Sequence, residues 1–311
     1  VSVGLVVNPR SGGGATGSRV DTIVEAVQAH AAVEVFRTEG PGDGTRQARR
    51  AVRAGHDRVV AVGGDGTVHE VVNGLFRGRE PIAPGVVFGV IHGGTGGDYV
   101  RSLKVPGSLA DQARLAATGE GHPVDLLHVR FVDHEGRDAE RICVNVLGFG
   151  MNGAVVKRAN ASSKRLGGRV TFAAATLRTF LSYRAPAVTV HVDRPDGSEH
   201  HWEGQLTSAF LAVGAYCGGG MWVGRGGRLD DGIADLTLIP DLPLLRSLGA
   251  TPRLYSGTVG NVKEVSTAQV VKLVATARDG TPVLVDLDGE QPGRLPLTVE
   301  VLEKKLVVAR L

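Results

Sequence analysis

Strand-like apolar runs that turn through glycine straight into a helical pattern constrain this chain more than any other feature of its sequence. Residues 59–62 form such a run and end in Gly63-Gly64-Asp65-Gly66-Thr67, after which Val68, Val71, Val72 and Leu75 recur at helical spacing. The run at residues 3–7 ends in Asn8-Pro9-Arg10-Ser11-Gly12-Gly13-Gly14, and the run at 86–91 enters Gly93-Gly94-Thr95-Gly96-Gly97-Asp98. Between these turns, Val20, Ile23, Val24 and Val27 mark one helix face, with Thr16 or Ser18 as its expected N-cap. A strand at 33–36 and an Arg-rich helix from about 45 to 54, closed by Gly55, complete the series. Strand and helix in alternation predict an α/β domain with a parallel sheet, covered on both faces, whose ligands sit at the carboxyl ends of the strands.

All three glycine turns therefore fall where a ligand would be held, and their composition suits phosphate. Glycine lets the main chain approach a polyphosphate with its N–H groups turned inward, Thr67 and Thr95 add hydroxyl donors, and a helix N-terminus adds positive potential. Asp65 and Asp98 would repel phosphate on their own, so an aspartate in such a loop implies a magnesium–nucleotide complex. Two common nucleotide motifs are missing. Gly17-Ser18-Arg19 lacks the lysine of a Walker A loop, and no turn spells the three-glycine dinucleotide fingerprint.

Ser108, with Asp111 three residues on, caps a helix that Gly119 ends before His122-Pro123. The rhythm then changes to strand after strand, at 142–147, 187–192, 206–215, 233–239, 270–277, 283–287, 297–302 and 306–308, interrupted by helical stretches near 168–184 and 243–255. This predicts two domains, residues 1–124 and 125–311. The second is a β-rich, antiparallel, sandwich-type unit, and its last strand is free to return to the first. In the strand at 283–287, alternation puts Val283, Val285 and Leu287 on one face and Leu284, Asp286 and Asp288 on the other. A carboxylate at a strand end beside a glycine can reach a cleft, although a solvated turn would carry the same residues.

Glycine supplies 45 of 311 residues, about twice its usual share of roughly 7%, which fits special backbone turns. A net charge of +3 is too small to call for a nucleic-acid partner and leaves attraction to an anionic surface open. Cys143 and Cys217 lie in apolar runs without metal-ligand spacing and read as small buried hydrophobes in a reducing compartment. The apolar stretches are strand-sized, short of the ~18 residues of a membrane span, and the first residues read as a strand, so a signal peptide is not expected. A cytoplasmic protein is expected.

Taken together, the motifs resemble the diacylglycerol kinase and sphingosine kinase superfamily, most closely the soluble bacterial diacylglycerol-kinase-like lipid kinases. The likeness rests on Asn8-Pro9-Arg10-Ser11-Gly12, Gly63 to Thr67, Gly94-Thr95-Gly96-Gly97-Asp98-Tyr99-Val100-Arg101, Gly218-Gly219-Gly220-Met221, Leu229-Asp230-Asp231-Gly232 and Asp288-Gly289-Glu290, in that order along nearly the whole chain. It implies an ATP-dependent lipid kinase. The ATP phosphates would lie against Asn8, Pro9, Arg10, Ser11 and Gly12 and against Gly64, Asp65, Gly66, Thr67, Val68, His69 and Glu70, with Thr38, Thr95 and Asp98 as further contacts. Asp288 or Glu290 would be the general base. Asp231 and the carbonyls of Arg228 and Ile233 would hold a structural Mg2+, where an ordinary hairpin turn is the competing reading. Two positions depart from the family pattern, His69 and Gly97, each where the family usually has asparagine.

Such an enzyme must reach a lipid at the inner face of the membrane. Lys157, Arg158, Lys164, Arg165 and Arg169, followed by Phe172, Leu177, Phe180 and Leu181, place a basic stretch beside an apolar helical one, as interfacial binding would use. A charged loop followed by a core helix has the same composition. A homodimer stays open. The rival functions are a NAD kinase, whose family shares Gly-Gly-Asp-Gly-Thr but also carries an Asn-Glu dipeptide absent from this sequence, and a nucleotide-binding regulatory pseudokinase, which would have lost Asp288 and Glu290.

Overall fold

Short Val-, Ile- and Leu-rich runs build the first sheet. The computed structural model describes residues 1–94, 96–161, 168–224 and 228–311. They divide into one unit of Val1–Leu126 with Glu303–Leu311 and a second of Leu127–Leu302. The boundary expected after residue 124 and the observed one after Leu126 differ by two residues.

In the first unit, β1 (Ser2–Val7), α1 (Val20–Gln28), β2 (Ala32–Arg37), α2 (Asp43–Arg53), β3 (Arg58–Gly63) and α3 (Asp65–Leu75) follow in turn. A two-strand ribbon, β4 (Phe76–Arg77) and β5 (Glu80–Pro81), leads to β6 (Val87–His92), α4 (Asp98–Ser102) and α5 (Leu109–Thr118). β1 pairs in parallel with both β2 and β3, and β3 pairs in parallel with β6. Val307 and Val308 add the closing segment of the chain beside Val87 and Phe88, also in parallel. Val3, Leu5, Val7, Val60, Val62 and Ile91 pack under Val20, Ile23 and Val27 of α1 and Ala113, Ala116 and Ala117 of α5. Leu5 is fully buried there, and truncating it to alanine would cost about 2–5 kcal/mol.

Local chemistry explains the helix ends. Ser108 accepts the Asp111 N–H at 3.1 Å and starts α5 as its sequence predicts. α1 is a correction, because Arg19 occupies its N-cap position and neither Thr16 nor Ser18 caps it. The Thr16 hydroxyl instead donates to the Gly93 carbonyl at 2.9 Å, which ties the segment after the first glycine turn to the third.

The second unit holds β7 (Gly121–Asp133, most of its length), β8 (Asp138–Cys143), β9 (Val146–Gly150), α6 (Met151–Ala161) and α7 (Gly168–Ser182). After these come β10 (Ala187–Asp193), β11 (Glu199–Ala212), the small hairpin β12 (Tyr216–Cys217) and β13 (Met221–Trp222), β14 (Ala234–Pro240) and α8 (Leu244–Tyr255). β15 (Ser266–Val270), β16 (Lys272–Ala277), β17 (Leu284–Leu287) and β18 (Glu290–Ala309) complete it, and the end of β18 runs on into the first unit. Its ladders are antiparallel, β15 to β14, β14 to β11, β11 to β10, β10 to β16 and β16 to β18. β9 joins β11 to β17. Leu127, Leu147, Phe149, Val190, Leu211, Leu236, Leu273 and Val285 are among the buried residues of its core.

Three expectations are corrected here. The run at 142–147 is two strands broken at Val144 and Asn145, the run at 270–277 is the end of β15 and then β16, broken at Val271, and residues 297–302 and 306–308 belong to the single strand β18. α6 was not anticipated. Cys143 is buried as expected, whereas Cys217 is only half-buried. In the basic stretch, Arg158 donates to the Thr179 and Ser182 hydroxyls of α7 at 3.1 and 3.4 Å. Lys164 and Arg165 lie outside the described residues, as do the side chains of Arg169, Phe172 and Leu181. Among the described residues, no helix is long and apolar enough to cross a membrane.

Candidate active site

The parallel strands of the first unit end together, so the turns that follow them meet. Asn8, directly after β1, donates its side-chain amide to the Thr67 hydroxyl at 3.0 Å and accepts the Arg10 N–H at 3.0 Å. Ser11 donates to the Asn8 carbonyl at 3.0 Å and lies 2.6 Å from the Thr16 hydroxyl, which in turn holds Gly93. Thr38, after β2, is buried and bonds through its N–H to Val7 at 2.9 Å. Gly64 and Gly94 approach so closely that a Cβ on Gly94 would sit 2.5 Å from the Gly64 Cα. A Cβ on Gly64 would meet the Gly94 Cα at 3.3 Å, so the approach rests above all on the bare Gly94. Gly13 and Gly14, both at positive φ, face open space, so main chain can come close to a ligand there.

Asp65 ties the second turn to the third. Its carboxylate accepts the Gly97 N–H at 2.9 Å and the Tyr99 N–H at 3.4 Å. Asp98, beside them, is buried in the first turn of α4. Thr95 lies outside the described residues. Gly97 has a φ of +105°, and a Cβ there would come within 3.2 Å of the His92 imidazole. The departure from asparagine at this position thus goes with an imidazole that fills the space.

Several residues of the second motif point elsewhere. Val68 is buried and gives its N–H to Gly64 within the helix. His69 is buried against Asn73, whose amide donates to the His69 carbonyl at 2.9 Å. The Glu70 carboxylate accepts the N–H groups of Gly42 and Gly44 at 2.7 and 2.8 Å, stabilising the N-terminus of α2. Pro9 accepts the Gly17 N–H at 3.0 Å, and Arg10 is exposed. The residues brought together at the turns are therefore Asn8, Ser11, Gly12, Thr38, Gly64, Asp65, Thr67 and Asp98, with Thr16 added. Thr16 carries no motif signal, since its partner is 77 residues away.

In the second unit, Asp288-Gly289 is a hairpin turn between β17 and β18. Asp288 has φ +54° and Gly289 φ +89°, and Leu287 pairs with Glu290 across them. Positive φ at both central residues is what a tight two-residue hairpin needs, and Asp-Gly supplies it. The Asp288 carboxylate accepts the N–H groups of Val144, Asn145 and Val146 at 2.9, 2.9 and 3.2 Å and the Cys143 thiol at 3.2 Å. This bonding breaks the 142–147 run into two strands. Burial pushes the Cys143 thiol well above its ordinary pKa, and the Asp288 charge adds to the effect, so it stays a donor. Asp286 accepts the Gly289 N–H at 2.8 Å. Glu290 is exposed.

A small cavity of about 20 Å3 lies in the same unit, lined by Asp231 and Asp235 with Arg228, Ile233, Gln269 and residues 212–214. It has room for one water-sized particle. Carboxylate and carbonyl oxygens are hard donors of the kind magnesium and calcium take; the lining sets two carboxylates beside the cationic Arg228, and among the described residues no group of three or more His, Cys, Asp or Glu gathers into a metal cluster. Asp231 also accepts the Ile233 N–H at 3.2 Å, the bond of a simple turn.

A family model described as the diacylglycerol kinase catalytic domain matches residues 2–129, and one described as the YegS C-terminal NAD kinase beta sandwich-like domain matches residues 145–310. Proteins called "Probable lipid kinase YegS-like" are similar over most of their length. The one from Stenotrophomonas maltophilia is 27% identical, with 83% of this chain and 80% of the relative covered, and that from Pseudomonas aeruginosa PAO1 is 27% identical over 80% and 75%. A solved structure of a diacylglycerol kinase from Bacillus anthracis shares the fold, with a TM-score of 0.70 at 20% identity over 100% of this chain and 97% of that one. With 145–310 alone spanning more than half of its length, this chain belongs to the diacylglycerol-kinase-like family that carries the YegS C-terminal domain.

Proposed function

We propose that this protein is an ATP-dependent lipid kinase that phosphorylates the hydroxyl of diacylglycerol or a related lipid alcohol. The observation that carries the reading is the Asn8–Thr67 hydrogen bond of 3.0 Å together with the Gly64–Gly94 approach. These joints bring glycine-bare main chain, hydroxyls and Asp65 to the carboxyl ends of parallel strands, where phosphates are bound. The names of the relatives support the lipid as acceptor.

Asn8, Ser11, Gly12, Gly64, Thr67 and Thr38 would line the ATP phosphates. Asp65 uses part of its acceptor capacity on Gly97 and Tyr99 and keeps lone pairs for the waters of a phosphate-bound Mg2+. The metal, when bound, neutralises charge as the γ-phosphoryl moves. Asp231, with the carbonyls of Arg228 and Ile233, would hold a second, structural cation.

A lipid hydroxyl also needs a base. Asp288 already receives four donors, which fill about as many lone-pair directions as a carboxylate has. Glu290, exposed two residues on, takes that role in our reading, with Asp288 holding the turn that presents it. A base of this kind contributes about 10²–10⁴-fold.

The experiment is transfer of labelled γ-phosphate from Mg–ATP to lipids in mixed micelles, with NAD as a parallel acceptor. Label in phosphatidate or another lipid phosphate is expected. Label in NADP, or none in any lipid of a panel of alcohols, would overturn the reading.

A further inference from the structure

Trp222 and Tyr255 are 41% and 55% exposed. Trp222 lies in β13 opposite Tyr216 of β12, with ring centroids 6.1 Å apart. Its indole covers Gly257, where a Cβ would come within 2.7 Å of the ring. Tyr255 is the last residue of α8, two positions earlier. Two segments far apart in sequence thus bring aromatic side chains to one corner of the second unit. Arg253 in the last turn of α8 and Lys263 just beyond are exposed. Neither forms an ion pair among the described residues, whereas Arg246 is paired with Glu264.

Indole and phenol rings are apolar bodies with a polar end, which suits the head-group level of a bilayer, and exposed cations on the same stretch of chain as Tyr255 suit anionic head groups. The corner is also bonded to the acid turn. Asn145 is buried, gives its N–H to Asp288 at 2.9 Å and donates its side-chain amide to the Tyr216 carbonyl at 2.7 Å. A lipid surface met by this corner would therefore lie against the framework that carries Glu290.

We propose that the hairpin of Tyr216–Cys217 and Met221–Trp222, with the C-terminal turn of α8, is the surface on which the protein docks to an anionic phospholipid bilayer. Trp222 and Tyr255 enter the head-group layer, and Arg253 and Lys263 meet the lipid charges. The inference rests on the lipid-kinase reading for its purpose, while its test stands apart from catalysis.

The chain has two tryptophans, so Trp202→Phe leaves Trp222 as the sole indole reporter. Phosphatidylglycerol–phosphatidylcholine vesicles should shift its emission to the blue, and brominated acyl chains should quench it. Trp222→Ala with Tyr255→Ala should lower vesicle partitioning by about tenfold or more. Arg253→Glu, which disturbs no packed residue, should lower it on anionic vesicles and leave it unchanged on neutral ones. On a water-soluble short-chain diacylglycerol these variants should turn over like wild type, and on vesicle-borne substrate they should slow. Unchanged emission with equal sedimentation of all variants overturns the docking surface. So does an equal loss on soluble and vesicle substrates, which would make the corner structural, or emission that responds only to added protein. If no lipid is phosphorylated by wild type, the kinase reading fails while the fluorescence still decides the docking.

Discussion

The Asp65 carboxylate receives the Gly97 N–H at 2.9 Å, so the second glycine turn holds the third in place. Asp65→Ala removes two hydrogen bonds to a charged acceptor, each worth about 1.5–3 kcal/mol. The expected outcome is a loss of Mg–ATP affinity of about tenfold or more in titration calorimetry, with the thermal transition retained. Asp65→Asn, which keeps an acceptor oxygen, should bind better than Asp65→Ala. Affinity equal to wild type in both variants would separate Asp65 from the nucleotide.

The Gly64–Gly94 contact makes a sharper steric prediction. A Cβ on Gly94 would meet main chain at 2.5 Å, and main chain cannot rotate away as a side chain could. Gly94→Ala should therefore move the two turns apart and abolish detectable ATP binding, whereas Gly107→Ala, where a Cβ meets nothing within 4 Å, should leave it intact. Equal ATP binding by Gly94→Ala and wild type would show that the turns do not need to touch.

What the sequence made legible follows from how local each signal is. The glycine turns, the Ser108 cap and the alternation of Val283, Val285 and Leu287 depend on neighbours in the chain, and those three side chains are buried as alternation requires. The bonds of Asp288 span 142 to 145 residues, and no periodicity encodes such a distance. For that reason the 142–147 run reads as one strand, and the sequence alone leaves Asp288 and Glu290 both open as the base. The bonds of Glu70 are equally beyond a local reading. Its place in a phosphate motif suggested a ligand contact, but its partners Gly42 and Gly44 belong to another helix.

Acid should loosen the packing of α2. Asp43 is buried, which alone would raise its pKa, but the Glu39 N–H and the Arg46 and Gln47 side chains outweigh burial and hold it below the model-peptide value of 3.8. A carboxyl lower when folded than when unfolded contributes its full stability above 3.8, and that contribution is lost as the pH falls through the folded value. Asp43→Asn should lower the melting temperature at pH 7 and make progressively less difference below pH ~4. A constant difference across that range would contradict the linkage.

The cavity at Asp231 predicts a cation effect on stability. Wild type should melt higher in millimolar Mg2+ or Ca2+ than in chelator, as any ligand bound only by the folded state requires. Asp231→Asn should lose most of that difference. If both proteins respond alike, Asp230-Asp231-Gly232 is a turn and nothing more.

The most direct test of the account is single-turnover transfer of γ-labelled phosphate to diacylglycerol, with ATP saturating, by wild type, Glu290→Gln and Asp288→Asn. Wild type should form labelled phosphatidate, and Glu290→Gln should be slower by about a hundredfold or more with ATP affinity unchanged. Asp288→Asn should also be slow, but with a lowered melting temperature, because it disturbs the main-chain donors at residues 144–146. Labelled phosphatidate at the wild-type rate from Glu290→Gln, or no labelled lipid from wild type, would contradict the account.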